Sequence, residues 1–244
     1  MACHGAWCWY KVAALLKSAG HKVTALDLGA SGLNPKQVQD LHSISDYFEP
    51  LTEFMMSLGP ADQRVILVGH SMGGIGLSFA MERFPERVAA AYARRVDFMD
   101  TKYIHQNGAD NPPTALLFGP NIMATKLYQL CSAEAIPPAE PCCFYSILNQ
   151  DLELGISLLR PVPCFSDAAV QEKAVFTKER YGSVARVYIV CDQDNVIKED
   201  LQRWMIENNP PNEVKLISGS DHMVMLCKPH ELCSYLQEIA GKYS

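Results

Sequence analysis

The sequence has no run of about 18 uninterrupted apolar residues, the length a bilayer-spanning helix needs, so no membrane span is expected. Basic runs are also absent, and a net charge of −6 argues against nucleic acid as a partner. The opening MACHGAWCWYK lacks the basic start and long apolar core of a signal peptide. No C-x-x-C occurs. The nine cysteines are scattered without metal-ligand spacing; Cys142 and Cys143 are adjacent, and Cys227 and Cys233 lie six positions apart. They read as reduced thiols in a cytoplasmic chain that holds no metal. Internal repeats and low-complexity tracts are missing too. What remains is an ordinary globular composition, 48% apolar and 20% charged, over 244 residues, enough for one sizeable α/β domain.

The chain is organised around residues 64–84, RVILVGHSMGGIGLSFAMERF. Val65–Val68 is a branched apolar run, expected as a strand buried on both faces. Gly69-His70-Ser71-Met72-Gly73 follows, a G-x-S-x-G pattern. Ile75–Arg83 then carries Leu77, Phe79, Ala80 and Met81 at helical spacing, and Pro85 stops it. Strand, tight turn and helix together are the context of a nucleophile elbow. Such a turn holds its serine at a strained backbone angle with the hydroxyl exposed. Glycines at 69 and 73 would let strand and helix approach closely. The helix N-terminus favours developing negative charge, so the Met72 N–H is a candidate oxyanion donor.

Taken in order, Trp7–Ser18 reads as a helix with Gly20 as its stop, and Lys22–Leu28 as a strand. Ser43–Leu58 reads as a helix; from Ser45 the capping box is incomplete, since Phe48 stands three residues on. Arg87–Ala93 begins as a strand and ends at Arg94-Arg95. Residues 94–180 are interrupted by prolines, with a helix over 121–131, and read as a lid inserted between two parts of the core, 1–93 and 181–244. Arg186–Cys191 and Glu213–Ile217 read as strands, and Glu199–Asn208 and Lys228–Lys242 as helices. Strands alternating with helices predict an α/β fold with a mostly parallel central sheet flanked by helices.

A serine hydroxyl needs a base to take its proton, and the base needs an acid to orient it. In this architecture both come from loops after later strands, in the order Ser, Asp, His. Asp192-Gln193-Asp194 follows one such strand and Asp221-His222 the other. His222 is the expected base. Asp192 and Asp194 both fit as the acid, and Asp221 fits less well because neighbours in a loop seldom orient one another. His70 is expected to pack beneath the elbow and His4 to line the pocket mouth. Ala2 or Cys3 stands where the second oxyanion donor belongs.

HGAWCWYK, AGHKVTALDL, VILVGHSMGG, FGP…KLYQLCS, RYGSV…VYIVC and SDHMVMLCKP resemble the plant methylesterase family, which has the hydroxynitrile lyases as relatives. The resemblance extends over most of the chain. It implies an α/β-hydrolase fold with a lid, no cofactor, and hydrolysis of small carboxylic methyl esters of the methyl salicylate or methyl jasmonate kind. It implies Ser71, Asp194 and His222 as the catalytic residues and the Ala2 and Met72 N–H groups as the oxyanion hole. His4 and Met223 are the implied substrate-binding residues, and a homodimer the implied assembly. The lyases carry lysine directly after the catalytic histidine, where this chain has Met223, which favours the esterase over the lyase alternative. Family members have a core strand before the ACHGAW segment and further residues after Ala89-Ala90-Ala91-Tyr92; this chain begins at the former and is shorter at the latter. A ligand-binding homologue of impaired activity is therefore a third reading. Leu116, Leu117, Phe118, Met123 and Leu127 would suit a small aromatic or cyclic acyl group, or simply fill the core.

Overall fold

A computed structural model of the chain describes residues 1–59, 64–88, 99–108, 110–131, 150–165 and 175–243. A 3₁₀ turn at Ala6–Trp9 leads into helix α1 (Tyr10–Ser18). Gly20, at φ +88°, ends it in the left-handed conformation that glycine adopts without a Cβ penalty. The helix expected over 43–58 is divided into α2 (Ile44–Tyr47) and α3 (Glu49–Ser57). Pro50 is the cause, since it has no amide hydrogen to return to the preceding turn. Ser43 caps α2, not Ser45. The Ser43 hydroxyl accepts from the Asp46 N–H at 3.1 Å, and the Asp46 carboxylate accepts from the Ser43 N–H at 2.9 Å. That reciprocal pair completes the box missing from the 45/48 spacing.

Two expected strands fail to form ladders. Residues 22–28 join none among the described residues. Val65–Val68 yields one parallel bridge, Val65 to Val88, with the Val65 N–H donating to the Arg87 carbonyl at 3.0 Å; Val68 is 44% exposed rather than buried on both faces. Branched apolar residues favour extended backbone, but a ladder also needs a neighbour along the hydrogen-bonding edge. Among the described residues only Val88 supplies one here. The rest of the expected 87–93 strand and Arg94-Arg95 lie outside the described residues.

Helix α4 (Gly73–Arg83) follows the elbow as expected. Three short strands, β1 (Lys102–Ile104), β2 (Ala115–Leu117) and β3 (Val162–Pro163), form an antiparallel sheet in that order, which the interrupted pattern of this region had hidden. Between them lie α5 (Pro120–Ile122), running into a π-helix at Met123–Leu127, and α6 (Gln150–Leu158). The C-terminal part matches its pattern closely. β4 (Val187–Cys191), α7 (Glu199–Asn208) and β5 (Glu213–Ile217) make a parallel strand–helix–strand unit, registered from Val187 opposite Glu213 to Cys191 opposite Ile217. Buried Gln202 of α7 locks the end of β4: its side chain accepts from the Cys191 N–H at 3.1 Å and donates to the Cys191 and Ile197 carbonyls at 2.8 and 2.7 Å. A buried amide satisfied in this way carries no desolvation penalty from an unpaired atom.

The chain closes with α8 (Val224–Cys227) and α9 (Pro229–Tyr243). Leu232, Leu236 and Ile239 recur at helical spacing on α9 and are buried in one core cluster with Val12 of α1 and Ile217 of β5. Each such side chain contributes about 1.5–3 kcal/mol when fully withdrawn from water.

Candidate active site

Ser71 has φ +53°, a left-handed conformation that costs a non-glycine residue roughly 1–3 kcal/mol. The elbow expected from G-x-S-x-G is present in its backbone. Of the two glycines, only Gly69 is sterically required. A Cβ there would lie 2.7 Å from two carbons of Leu77, whereas at Gly73 the nearest atom would be 3.9 Å away. Close approach of α4 instead depends on Gly76, where a Cβ would fall 2.6 Å from the Phe48 ring.

His222 and Asp194 are buried together, with 2.8 Å between His222 Nδ1 and Asp194 Oδ2. The other Asp194 oxygen accepts from the Val196 and Ile197 N–H groups at 2.7 and 2.8 Å, which fixes the plane of the carboxylate. Since a carboxylate only accepts, this contact assigns the imidazole proton to Nδ1 and leaves Nε2 as an acceptor. Of the two aspartates that fit as the acid, Asp194 is the one in contact with His222. Asp192 turns to the neighbouring loop, accepting from the Ser218 hydroxyl at 2.9 Å and the Gly219 and Ser220 N–H groups at 2.8 and 3.3 Å. Asp221 faces away as well, accepting from the Met223 N–H at 2.9 Å and the Leu130 N–H at 2.7 Å.

Ser71, Asp194 and His222 line one cavity of about 90 Å³, with apolar walls from Ile66, Val68, Ile189 and Leu236. His70 lines it as well. Its ring stands 4.5 Å from that of His222, centre to centre. Burial and then the charge of His222 hold the His70 pKa well below its ordinary value, so His70 brings no competing charge to the base.

His4 is not among the residues lining this cavity. Burial pushes its pKa down to about 3, so the ring is neutral, with one donor and one acceptor nitrogen. Nδ1 donates to the Ala2 carbonyl at 2.8 Å, and Nε2 accepts from the Tyr128 hydroxyl at 2.9 Å. The ring stacks between Trp7 and Tyr128. His4 is therefore a strut joining the N-terminal loop to residue 128. Met223 is fully buried and likewise does not line the cavity. Leu116, Phe118, Met123 and Leu127 belong to the main core cluster, and Leu117 packs against it.

Ala2 and Met72 are not among the residues lining the cavity; Met1, the neighbour of Ala2, has its amino nitrogen 3.9 Å from where a Cβ on Gly73 would lie. Met72 stands immediately before α4, whose opening N–H groups at 73, 74 and 75 donate to the carbonyls of His70, Ser71 and Met72. The segment holding Ala2 is fixed by two side chains that sequence analysis passed over. Asp27 accepts from the Ala6 N–H at 2.6 Å and the Leu33 N–H at 3.0 Å. The Arg160 guanidinium donates to the carbonyls of Gly32, Asn34 and Lys36 at 2.6–3.0 Å, while its own N–H donates to the Cys3 carbonyl at 3.1 Å. No local pattern marks either residue, because their partners are up to 128 positions away.

The profile of the alpha/beta hydrolase family matches residues 2–234. The chain is 49% identical to methyl jasmonate esterase 1 of Vitis vinifera, an alignment covering 100% of this chain and 95% of that protein. It is 44% identical to salicylic acid-binding protein 2 of Nicotiana tabacum, again over 100% and 95%. Among solved structures, tomato methylketone synthase I complexed with 2-tridecanone superposes with a TM-score of 0.88 at 42% identity, covering 100% of this chain and 96% of that one. Polyneuridine aldehyde esterase superposes with a TM-score of 0.82 at 37% identity, over 98% and 95%.

Proposed function

The chain belongs to the alpha/beta hydrolase family, and on that premise we propose that it is a carboxylic ester hydrolase acting on small methyl esters of the methyl jasmonate and methyl salicylate class. The observation that carries this reading is the convergence of left-handed Ser71 and the buried Asp194–His222 pair on one small apolar cavity.

The chemistry follows from those atoms. His222 Nε2 takes the Ser71 proton as Oγ attacks the ester carbonyl. Asp194 keeps the imidazole in the tautomer that can do so and stabilises the imidazolium that results. The Met72 and Ala2 N–H groups receive the negative charge that develops on the carbonyl oxygen. The imidazolium returns its proton to the departing methanol. Water, deprotonated by the same nitrogen, then releases the acid from the acyl-enzyme. Residues 94–180 serve as the lid. Gln129 donates to the Gln193 carbonyl at 2.5 Å and pairs with Asn195, while the Leu130 N–H reaches Asp221, so this segment leans on both the acid loop and the base loop.

The same reading takes the enzyme as a cytoplasmic homodimer with a free small-molecule substrate. All seven described cysteines are free thiols, and no helix among the described residues is long and apolar enough to cross a membrane. Light scattering of the purified protein and fractionation test those two points.

Turnover of a methyl ester beside a Ser71→Ala control tests the function. Loss of at least about 10³-fold in kcat with the fold retained is expected. Turnover that survives the substitution removes Ser71 from the mechanism, and salicylate binding without turnover by the unaltered protein favours a binding role instead.

A further inference from the structure

Away from the catalytic cavity, three side chains from distant parts of the chain converge. Cys131 follows the π-helix of the lid, Asp221 precedes His222, and Cys227 ends α8. Their two sulfurs and one carboxylate oxygen all lie within 4.8 Å of one another. We propose that Cys131, Asp221 and Cys227 form a binding site for one soft divalent cation of the zinc class.

Geometry supports the donor set. Zinc bonds of about 2.3 Å to sulfur and about 2.0 Å to oxygen at a tetrahedral angle place the two ligand atoms about 3.5 Å apart. Cys131 Sγ stands 3.6 Å from Asp221 Oδ2 and 3.9 Å from Oδ1, so little movement is needed to admit an ion between them. The carboxylate is already held in place. Oδ1 accepts from the Met223 N–H and Oδ2 from the Leu130 N–H, and each oxygen keeps a further lone pair for a metal. The Met223 carbonyl, 4.0 Å from Cys131 Sγ, is a candidate fourth ligand; water is the alternative.

The surroundings of the three side chains suit an added ion. Asp221 is fully buried and Cys131 nearly so. Thiol ligands must give up their protons to the solvent as the ion binds, so occupancy should rise with pH. Lys11, which approaches this region, is committed to Asp151 at 2.7 Å and to the Leu226 carbonyl at 3.4 Å. Two thiolates select a soft ion over magnesium or calcium, and partly exposed Cys227 gives it a path in from solvent.

The test is titration of the reduced full-length protein with cobalt(II) under nitrogen. One equivalent should bind with a near-ultraviolet thiolate-to-cobalt band and tetrahedral visible bands. Zinc should displace it and magnesium should not. Cys227→Ser and, independently, Cys131→Ser should each abolish the one-equivalent band, while Cys233→Ser, outside the cluster, should retain it. Zinc should raise Tm in the unaltered protein but not in Cys227→Ser. Absence of the band in the unaltered protein overturns the site, as does a band that survives both Cys227→Ser and Cys131→Ser. Cobalt binding is read without ester turnover, so its outcome is independent of the catalytic reading.

Discussion

Asp194→Asn changes one atom at the point where the candidate active site is most tightly specified. The replacement amide must choose which end faces His222. Its oxygen is claimed by the Val196 and Ile197 N–H groups, which now donate to Asp194 Oδ1 at 2.7 and 2.8 Å. The amide NH₂ is thereby turned toward His222 Nδ1, where the carboxylate oxygen stood at 2.8 Å. Nδ1 must then accept, the imidazole proton moves to Nε2, and Nε2 can no longer take a proton from Ser71. A wrong tautomer of this kind lowers kcat by about 10⁴-fold, which at 1.36 kcal/mol per decade is about 5.4 kcal/mol of transition-state stabilisation. Stability should fall far less, by about 1 kcal/mol, because both backbone bonds survive and one charge-assisted bond becomes neutral. The assay is methyl ester turnover at pH 7–8 alongside a thermal melt, with Asp192→Asn as the contrast. Asp192 accepts three bonds from residues 218–220, so its replacement should lower Tm while the folded fraction keeps most of its activity. Folded Asp194→Asn protein retaining activity within tenfold of the unaltered enzyme would refute the assignment of the acid.

Gly69→Ala should destabilise by about 1–3 kcal/mol, because its Cβ meets buried Leu77 at 2.7 Å; Gly73→Ala, with 3.9 Å of clearance, should leave Tm nearly unchanged, and paired melts compare them. His4 titrates near 3 in the fold against an ordinary 6.5, so the unfolded chain binds more protons between those pH values and stability falls as pH drops from 6.5 to 3. The full shift is worth up to about 4–5 kcal/mol. His4→Gln, which cannot take up a charge, should flatten the pH dependence of denaturant unfolding in that window; buried His70 leaves a residual slope of the same sign.

How much was legible in the residues depended on the range of the forces involved. β4, α7 and β5 were readable almost to the residue, because each has a period matched to its own element and breakers at its ends. The break between α2 and α3 was also written locally, in Pro50, although the 3.6-residue pattern running through it masked the interruption. Residues 22–28 and 65–68 misled for the opposite reason. Their composition suits a strand, but strand formation depends on a neighbour contributed from elsewhere. The short antiparallel sheet β1-β2-β3 had the reverse problem, with pairing present and a two- to three-residue pattern too brief to detect.

The sequence by itself determined where a nucleophile and a base are to be sought, because a G-x-S-x-G turn between an apolar run and a helix, and a histidine in a loop after a late strand, are local signatures of such chemistry. It also set the chain order of the candidates, Ser71 before Asp192 and Asp194, and these before His222. Only the tertiary structure distinguished Asp192 from Asp194, two residues apart on one loop, by giving them different partners: Asp192 meets residues 218–220 and Asp194 meets His222. Only packing tied His4 to Tyr128, brought His70 against His222, and gathered Cys131, Asp221 and Cys227 across some ninety positions of chain. The physical reason is common to all of these. A side chain's neighbours three or four residues away are set by backbone geometry, whereas the partners that fix its direction and charge are set by which distant surfaces are buried together.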